Sequence, residues 1–250
     1  MDILNRIINR WLVVMGVLAV IFGAALWYFR DSKGNASYYE GSNTVKLCEY
    51  IEIDMLKTNV HILPYQGEKI KIEYKSIVPI SVMLGDNRLV ITESDEFVLS
   101  FLTGDPEQFG LWLYLPKGIY KDIAVSTTSG KAEIGRIDSE DVTVITKSGS
   151  ISATETRSLV SLVTGSGDIL LDFEHVIAGS SIESRKGNAE ITFPKGSSVA
   201  LAYETETGTF NSDILKGSIE GSYMYSFSGG ENLISADIES GTLTVNERKS

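Results

Sequence analysis

The sequence has few of the residues on which metal and nucleophile chemistry depends. Its single cysteine, Cys48, excludes an intramolecular disulfide and a cysteine-based zinc site, and its alternating surroundings predict a small buried side chain. The two histidines, His61 and His175, stand in no metal-ligand spacing, and no G-x-S-x-G nucleophile elbow occurs. We therefore predict that the protein is not an enzyme and holds no cofactor or metal.

Basic residues and helical periodicity are also scarce. The 22 Lys and Arg residues face 33 Asp and Glu residues, for a formal net charge of −11. A nucleic-acid partner is disfavoured, because phosphate binding requires clustered Lys and Arg. Beyond Phe29 no segment shows a 3.6-residue period, and alternating segments separated by polar or glycine turns follow one another from about Thr44. This pattern predicts an all-β protein behind one amino-terminal helix.

That helix is predicted from a run of nineteen uncharged residues, Trp11 to Phe29. At ~1.5 Å per residue it would span about 28 Å, close to the ~30 Å of a bilayer core. Trp11, Trp27 and Tyr28 lie where side chains of a membrane interface are expected. We predict an uncleaved transmembrane helix at 11–29 after a short cytoplasmic tail, residues 1–10. A cleavable signal peptide is the alternative, although the run exceeds the usual ~7–15 residues and no small-x-small site follows it.

The orientation of this helix does not follow from its flanks. Two basic residues stand on each side, so the positive-inside rule gives no preference. The remaining chain, residues 31–250, has a net charge of −13 and is rich in Ser, Thr and Gly. We therefore predict a single-pass protein of the cell membrane, in contact with lipid through its helix, with the carboxy-terminal domain outside the cytoplasm.

The second half of the chain repeats a short phrase, most often Ser-Gly or Thr-Gly, between alternating segments. The repeat glycines are Gly130, Gly149, Gly167, Gly187, Gly208 and Gly241. The first four intervals between them are 19, 18, 20 and 21 residues. A period near ~20 with strand-type residues is typical of a β-solenoid. We predict a β-solenoid, or β-helix, of the single-stranded type, with one such rung per repeat.

Each repeat glycine also marks a change of side-chain parity. Apolar residues stand at odd offsets before the glycine and at even offsets after it, as Val144 and Ile151 do around Gly149. Because side chains alternate with a period of two along a strand, this change requires a corner. Glycine supplies backbone freedom there, including positive φ. The preceding Ser or Thr can bond the turn backbone or the next rung.

These patterns divide the chain behind the helix into a linker and one domain. The linker covers residues 30–43, and the β-solenoid domain covers residues 44–250. Within it we predict irregular first rungs at 44–120, regular repeats at 121–215 and atypical capping rungs at 216–250, because the end rungs of solenoids differ from the others.

A longer motif connects the repeats to a known family. Leu115-Pro116-Lys117-Gly118 recurs as Phe193-Pro194-Lys195-Gly196, and each proline precedes a repeat glycine by fourteen residues. With the T-x-S-G-x-I rungs and the single apolar helix, the chain resembles a bacterial family of candidate adhesins of unknown function, over about residues 45–247. The resemblance implies a surface-exposed, membrane-tethered β-solenoid that acts in adhesion or in envelope-stress systems. It brings no catalytic residues.

One group of charged residues gains a possible role from the stacking of rungs. Glu183 and Glu204 stand four residues before their glycines, Glu206 stands two before, and Arg185 lies beside Glu183. Residues at the same distance from their repeat glycines lie above one another in neighbouring rungs, about 4.8 Å apart. Glu183 and Glu204 would then form a pair of carboxylates able to bind Ca²⁺. The alternative is that these residues belong to a solvated outer face. We predict that Glu183, Arg185, Glu204 and Glu206 form an outward interaction face, called the acidic face below.

A rigid solenoid with polar outer faces is typical of a protein that acts by binding other molecules, so we predict an interaction protein. We expect adhesion or contact with the cell envelope, through an unidentified envelope or surface protein or glycan. The alternative is an accessory partner of a membrane sensor of envelope stress. A glycan-active β-helix enzyme is more remote, because the rungs are short and carry no long loop insertions. The oligomeric state stays open at this point.

Overall fold

The computed structural model describes residues 38–95, 109–118, 120–213, 223–227 and 229–249. These ranges contain twenty β-strands and no helix, so the all-β prediction is confirmed for them. The predicted transmembrane helix at 11–29 and the tail before it lie outside the described residues. Within the ranges above, no helix is long and apolar enough to cross a membrane.

The strands form two ten-stranded sheets whose inner faces enclose one continuous apolar core. In spatial order, sheet A consists of β1 (Tyr39–Val45), β4 (Ile70–Ser76), β7 (Gly110–Pro116), β3 (Asn59–Tyr65), β9 (Ala132–Ile134), β11 (Ile151–Thr156), β13 (Ile169–Phe173), β15 (Ala189–Phe193), β20 (Thr242–Glu247) and β17 (Thr209–Ser212). Sheet B consists of β18 (Tyr223–Phe227), β16 (Val199–Glu204), β19 (Asn232–Ser240), β14 (Ser181–Lys186), β12 (Leu159–Thr164), β10 (Ser139–Thr146), β8 (Tyr120–Thr127), β2 (Tyr50–Met55), β6 (Arg88–Glu93) and β5 (Ile80–Leu84).

Each repeat supplies two strands, one to each sheet, and its glycine lies between them. Thus β10 leads through Gly149 into β11, and Val144 of β10 pairs in register with Val125 on one side and Leu162 on the other. The solenoid-like repeat is confirmed. The single-stranded type of rung is wrong, because the corner at each glycine divides the repeat between the two sheets.

The parity of the sequence explains the core. Side chains at the inward positions of a rung are almost completely buried, as Val144, Ile151 and Ala153 show, each at most 1% exposed. Outward positions between them are half-buried or exposed, because the two sheets pack only through their inner faces. The outer faces are therefore free to carry residues that the fold does not need.

The order of rungs in space departs from the order in the sequence at both ends. Near the amino terminus, rung β2–β3 lies against β8–β9, and the later rung β6–β7 lies outside it. Near the carboxy terminus, the last rung, β19–β20, lies between β14–β15 and the earlier rung β16–β17. The last strands of the chain are thus in the interior of the stack.

Antiparallel strands cover both sheets at the amino-terminal end and sheet B at the other end. At the amino-terminal end, β5 pairs with β6 in sheet B, and β4 and β1 extend sheet A beyond β7. At the other end, β18 pairs antiparallel with β16. Three of the four sheet edges thus carry strands that pair antiparallel with their neighbours, which interrupts the regular stacking of the solenoid, whereas β17, parallel to β20, forms the remaining edge of sheet A.

Candidate functional site

The repeat glycines form a column in which each one contacts the backbone of its neighbour. A Cβ atom added at Gly149 would lie 2.0 Å from the carbonyl oxygen of Gly130, and one at Gly167 would lie 2.3 Å from that of Gly149. Gly187 meets Gly167 in the same way at 2.1 Å, and Gly130 meets the carbonyl oxygen of Thr58 at 2.3 Å. Glycine is required here because a side chain would occupy the space of the next rung.

Fewer of the repeat glycines have a positive φ than the sequence analysis predicts. Gly187 and Gly241 have φ values of 149° and 136°, in the region that favours glycine. Gly130, Gly149 and Gly167 do not have such values. Positive φ is therefore a sufficient reason at two corners, whereas close approach between rungs is the reason at the others.

A column of buried hydroxyl groups, which the sequence analysis missed, supports these corners. Thr127 Oγ1 donates to the carbonyl of Gly130 at 2.8 Å, the amide of Gly149 donates to Thr146 Oγ1 at 2.8 Å, and Thr164 Oγ1 donates to the carbonyl of Gly149 at 3.1 Å. The signal was a hydroxyl residue three positions before the glycine, found at Thr127, Thr146, Thr164, Ser184 and Thr205. Four of these hydroxyl groups make hydrogen bonds at the corner, whereas Ser184 Oγ has no hydrogen-bond partner among the described residues. These contacts make the glycine corners part of the scaffold.

The Ser or Thr just before the glycine connects neighbouring rungs. Ser148 Oγ donates to the carbonyl of Thr128 at 3.0 Å, and Ser240 Oγ donates to that of Arg185 at 2.9 Å. These bonds run to the adjacent rung and leave no open cradle for a ligand. The Ser-Gly phrases therefore hold the stack together.

The acidic face lies on the outer side of sheet B, but its members are arranged differently from the prediction. Asp237 of β19 pairs in register with Glu183 of β14 on one side and with Glu204 of β16 on the other. The direct pair of Glu183 and Glu204 is wrong, because β19 is inserted between their strands. Arg185 is 66% exposed and lies 3.7 Å from Glu239. Glu206 is exposed.

The three carboxylates of this row line a shallow concavity. Glu183, Asp237 and Glu204 border about 520 Å³, with Met224 of β18 at its side. Met224 is 70% exposed. In the ranges that the structure describes, no three His, Cys, Asp or Glu side chains lie close enough to hold a metal ion. The acidic face is thus an open surface, and its predicted role in interaction stays a prediction.

A second surface, on the outer side of sheet A, was not predicted from the sequence. We call Trp112, His61, Tyr114 and Tyr65 the aromatic strip. The rings of His61 and Trp112 are stacked, with centroids 5.5 Å apart and planes at 6°. Tyr65 meets Tyr114 edge-on, with centroids 6.1 Å apart. The indole of Trp112 lies over Gly110, where a Cβ would be only 2.7 Å from the ring.

Ionised carboxylates border the aromatic strip. Oε2 of Glu133 lies 2.8 Å from Nδ1 of His61, and Glu133 also pairs with Lys131. Burial raises the pKa of Glu133, but the hydrogen bonds from Lys131 and His61 outweigh it and hold that pKa below its usual range. Glu73 lies 2.8 Å from Lys71, and this hydrogen bond lowers its pKa against a smaller opposing effect of burial. Both carboxylates are therefore charged at neutral pH.

The strip ends at a pocket beside the carboxyl ends of β3 and β7. This arginine pocket has a volume of about 370 Å³, and Tyr65, Lys117, Arg136 and Arg157 are among its lining residues. Nε of Arg136 lies 3.2 Å from Glu174, and Arg157 makes two hydrogen bonds to the same carboxylate, one of them at 2.8 Å. The hydrogen bond from Arg157 is the main reason that the pKa of Glu174 is lowered. One anion thus positions two guanidinium groups.

These features define a two-sheet β-solenoid whose outer faces carry the acidic face, the aromatic strip and the arginine pocket. The chain matches the family model described as Toastrack DUF4097 over residues 48–158 and again over 137–246, and it belongs to that family. This confirms the resemblance noted from the sequence. The family is not known as an enzyme family.

One solved structure supports the same fold. The chain is similar to a crystal structure of a candidate cell adhesion protein from Clostridium sporogenes ATCC 15579, with 17% identity and a TM-score of 0.50, over 85% of this chain and 100% of that one. A candidate adhesin from Bacteroides fragilis NCTC 9343 matches with 13% identity and a TM-score of 0.41, over 85% and 99%. No curated protein matches significantly. At these identities the likeness concerns the fold alone.

Proposed function

We propose that this protein is a membrane-tethered interaction module that uses its outer sheet faces for adhesion or for contact with the cell envelope. The observation that carries the proposal is the aromatic strip. Its members stand at outward positions, where the core does not require them: Tyr65 is exposed and the other three rings are half-buried. Aromatic groups at the surface near fixed charges are typical of binding surfaces. The similar Clostridium sporogenes protein is described as a candidate for cell adhesion, which supports the same class of function.

The tether is part of the proposal and rests on the sequence. Residues 11–29 are uncharged and long enough for one crossing, and the domain that follows is acidic. A domain held outside the cytoplasm by one helix can meet envelope polymers or other cells while remaining on its own cell. Lipid is then a partner of the helix alone.

The test uses the full chain, produced in a bacterial host that does not adhere to a chosen cell layer. A second chain has 11–29 exchanged for an unrelated apolar segment of equal length. We expect both chains in the membrane fraction, the domain cleavable by protease added outside, and both hosts adhering more than the empty host.

Each other outcome has a defined meaning. No gain in adhesion would refute the adhesive function, and protection from external protease would refute the orientation. Loss of function in the exchanged chain alone would favour the accessory of a stress sensor, because such a partner needs its own helix. Hydrolysis of a glycan by the purified chain would contradict a purely binding role.

A further inference from the structure

We propose that the aromatic strip and the arginine pocket form one binding site for an anionic oligosaccharide, with sugar rings on the strip and an acidic substituent in the pocket. This inference rests on the proposed interaction function and names the class of ligand. The two parts are continuous, because Tyr65 belongs to both: its ring contacts Tyr114 in the strip and also lines the pocket.

The strip suits the apolar faces of sugar rings. His61 and Trp112 are neighbours in register on β3 and β7, their rings are nearly parallel, and Gly110 allows the indole to lie close to the sheet. Tyr114 follows Trp112 on the same face, about 6.6 Å further along the strand. His61 and Trp112 stack on each other, and Nζ of Lys71 lies 5.0 Å from the centroid of the Tyr114 ring. The rings are therefore held in place, and little side-chain ordering is needed on binding.

The borders of the strip suit the hydroxyl groups of the same sugars. Glu133 and Glu73 are ionised acceptors beside the aromatic rings, and Lys131 and Lys71 are donors bound to them. Such pairs of donors and acceptors can bond adjacent hydroxyl groups of a sugar ring. An aliphatic or purely apolar ligand would cover these ion pairs and remove their water without offering them hydrogen bonds, and it is therefore disfavoured.

The arginine pocket suits one acidic group. The protein carries a net charge of −11, yet Lys117, Arg136 and Arg157 all line this pocket, with Asp138 as an acidic neighbour. Glu174 accepts hydrogen bonds from Arg157 and forms an ion pair with Arg136, and so holds both guanidinium groups in place. Arg136 contacts it through Nε, and the planar fork of a guanidinium matches a carboxylate or a phosphate.

Size and charge distinguish the ligand from other polyanions. A pocket of about 370 Å³ is at the small end of ligand sites and fits a single sugar with its substituent. One basic pocket on an acidic protein is unsuited to the continuous phosphates of nucleic acid. The strip leads away from the pocket along the sheet, which suits a linear chain of sugars better than a lipid headgroup.

The experiment measures binding of the purified full chain in detergent micelles by calorimetry. The probes are hexagalacturonate, a galactose hexamer that carries a phosphate group, a neutral galactose hexamer, and phosphatidylglycerol vesicles. We expect one of the two acidic polymers to bind at least tenfold more tightly than the neutral hexamer. Which acidic polymer binds decides between carboxylate and phosphate as the recognised group.

Variants connect that binding to the proposed site. We expect Arg136→Gln to weaken binding of the acidic polymer by roughly tenfold to a hundredfold, as the loss of a charged hydrogen bond does. Tyr65→Ala should weaken binding of the acidic polymer by about tenfold, because it removes the stacking of the ring on a sugar. Tyr65→Phe keeps the ring and should retain the affinity. Arg88→Gln removes an exposed charge on sheet B that is paired with Glu52 and belongs to none of the named surfaces; it is the matched control and should bind as the parent does. Thermal melting confirms that each variant is folded.

Several results would overturn the assignment. They are equal affinity for the acidic and neutral hexamers, an unchanged affinity in Arg136→Gln, or binding of anionic vesicles that is lost in the same variants. If the host cells adhere but no acidic glycan binds, the site assignment fails and the proposed function stands. If they neither adhere nor bind, both fail.

Discussion

Substitution of a single stacked glycine tests the structural logic of the whole solenoid. In Gly149→Ala, the new methyl group would lie 2.0 Å from the carbonyl oxygen of Gly130 and 2.8 Å from its carbon. These are backbone atoms of the adjacent rung, so no side chain can turn aside. The two rungs must separate locally by roughly 1 Å or more to reach an ordinary contact.

The cost of that separation can be estimated from the contacts at the corner. Overpacking of this kind costs ~1–3 kcal/mol. The movement also weakens two hydrogen bonds, from the Gly149 amide to Thr146 and from Thr164 to the Gly149 carbonyl, each worth about 1 kcal/mol. Alanine restricts the unfolded chain and returns ~0.4–1 kcal/mol. We expect a net loss of about 2–4 kcal/mol in the free energy of unfolding.

The measurement is thermal and urea unfolding of the full chain beside a matched control. The control is Gly85→Ala, because the nearest atom to a Cβ at Gly85 is 3.9 Å away and its φ lies outside the left-handed region. We expect Gly149→Ala to lower the melting temperature by roughly 4–16 °C and the control to change it little. If the two variants melt together, close approach between rungs is not why glycine recurs.

Three further predictions follow from other parts of the fold. Glu93 accepts hydrogen bonds from the backbone amides of Leu56–Thr58. Glu93→Ala should therefore lower the free energy of unfolding, measured in urea, by about 3 kcal/mol or more, and Glu93→Gln should lower it by less. Equal losses in the two variants would contradict this role. Deletion of 231–250 removes rung β19–β20, so residues 199–212 should become sensitive to protease, and unchanged cleavage would argue against the inserted rung. Cys48 is 5% exposed and burial raises the pKa of its thiol, so alkylation at pH 8 should be much slower in the native protein than in urea.

The repeat architecture was predictable because its signals are local. A strand places alternate side chains on opposite faces, so the change of parity at Gly149 revealed a corner without any knowledge of distant contacts. The positions predicted to face inward, such as Val144 and Ile151, are buried. The division of each rung between two sheets was not predicted, because a corner in the sequence does not say how sharply the chain turns.

The order of the rungs was unpredictable from the same signals. Equal offsets from the glycines show which residues share a row, but they do not show which rung is the neighbour. The interval of 33 residues between Gly208 and Gly241 marked an irregularity without showing that β19–β20 returns into the stack. For this reason the shared row of Glu183 and Glu204 was predictable, whereas the strand that lies between them was not.

The aromatic strip depends on the same kind of non-local order. Trp112 and Glu133 both become neighbours of His61, because β3 lies between β7, which follows it by about 50 residues, and β9. No spacing in the sequence connects these three residues. The core restricts only inward positions, so outward residues can change without cost to the stack. A solenoid can therefore keep its glycine corners and acquire different ligands through its outer rows, and binding specificity must be sought in side chains that the repeat itself does not require.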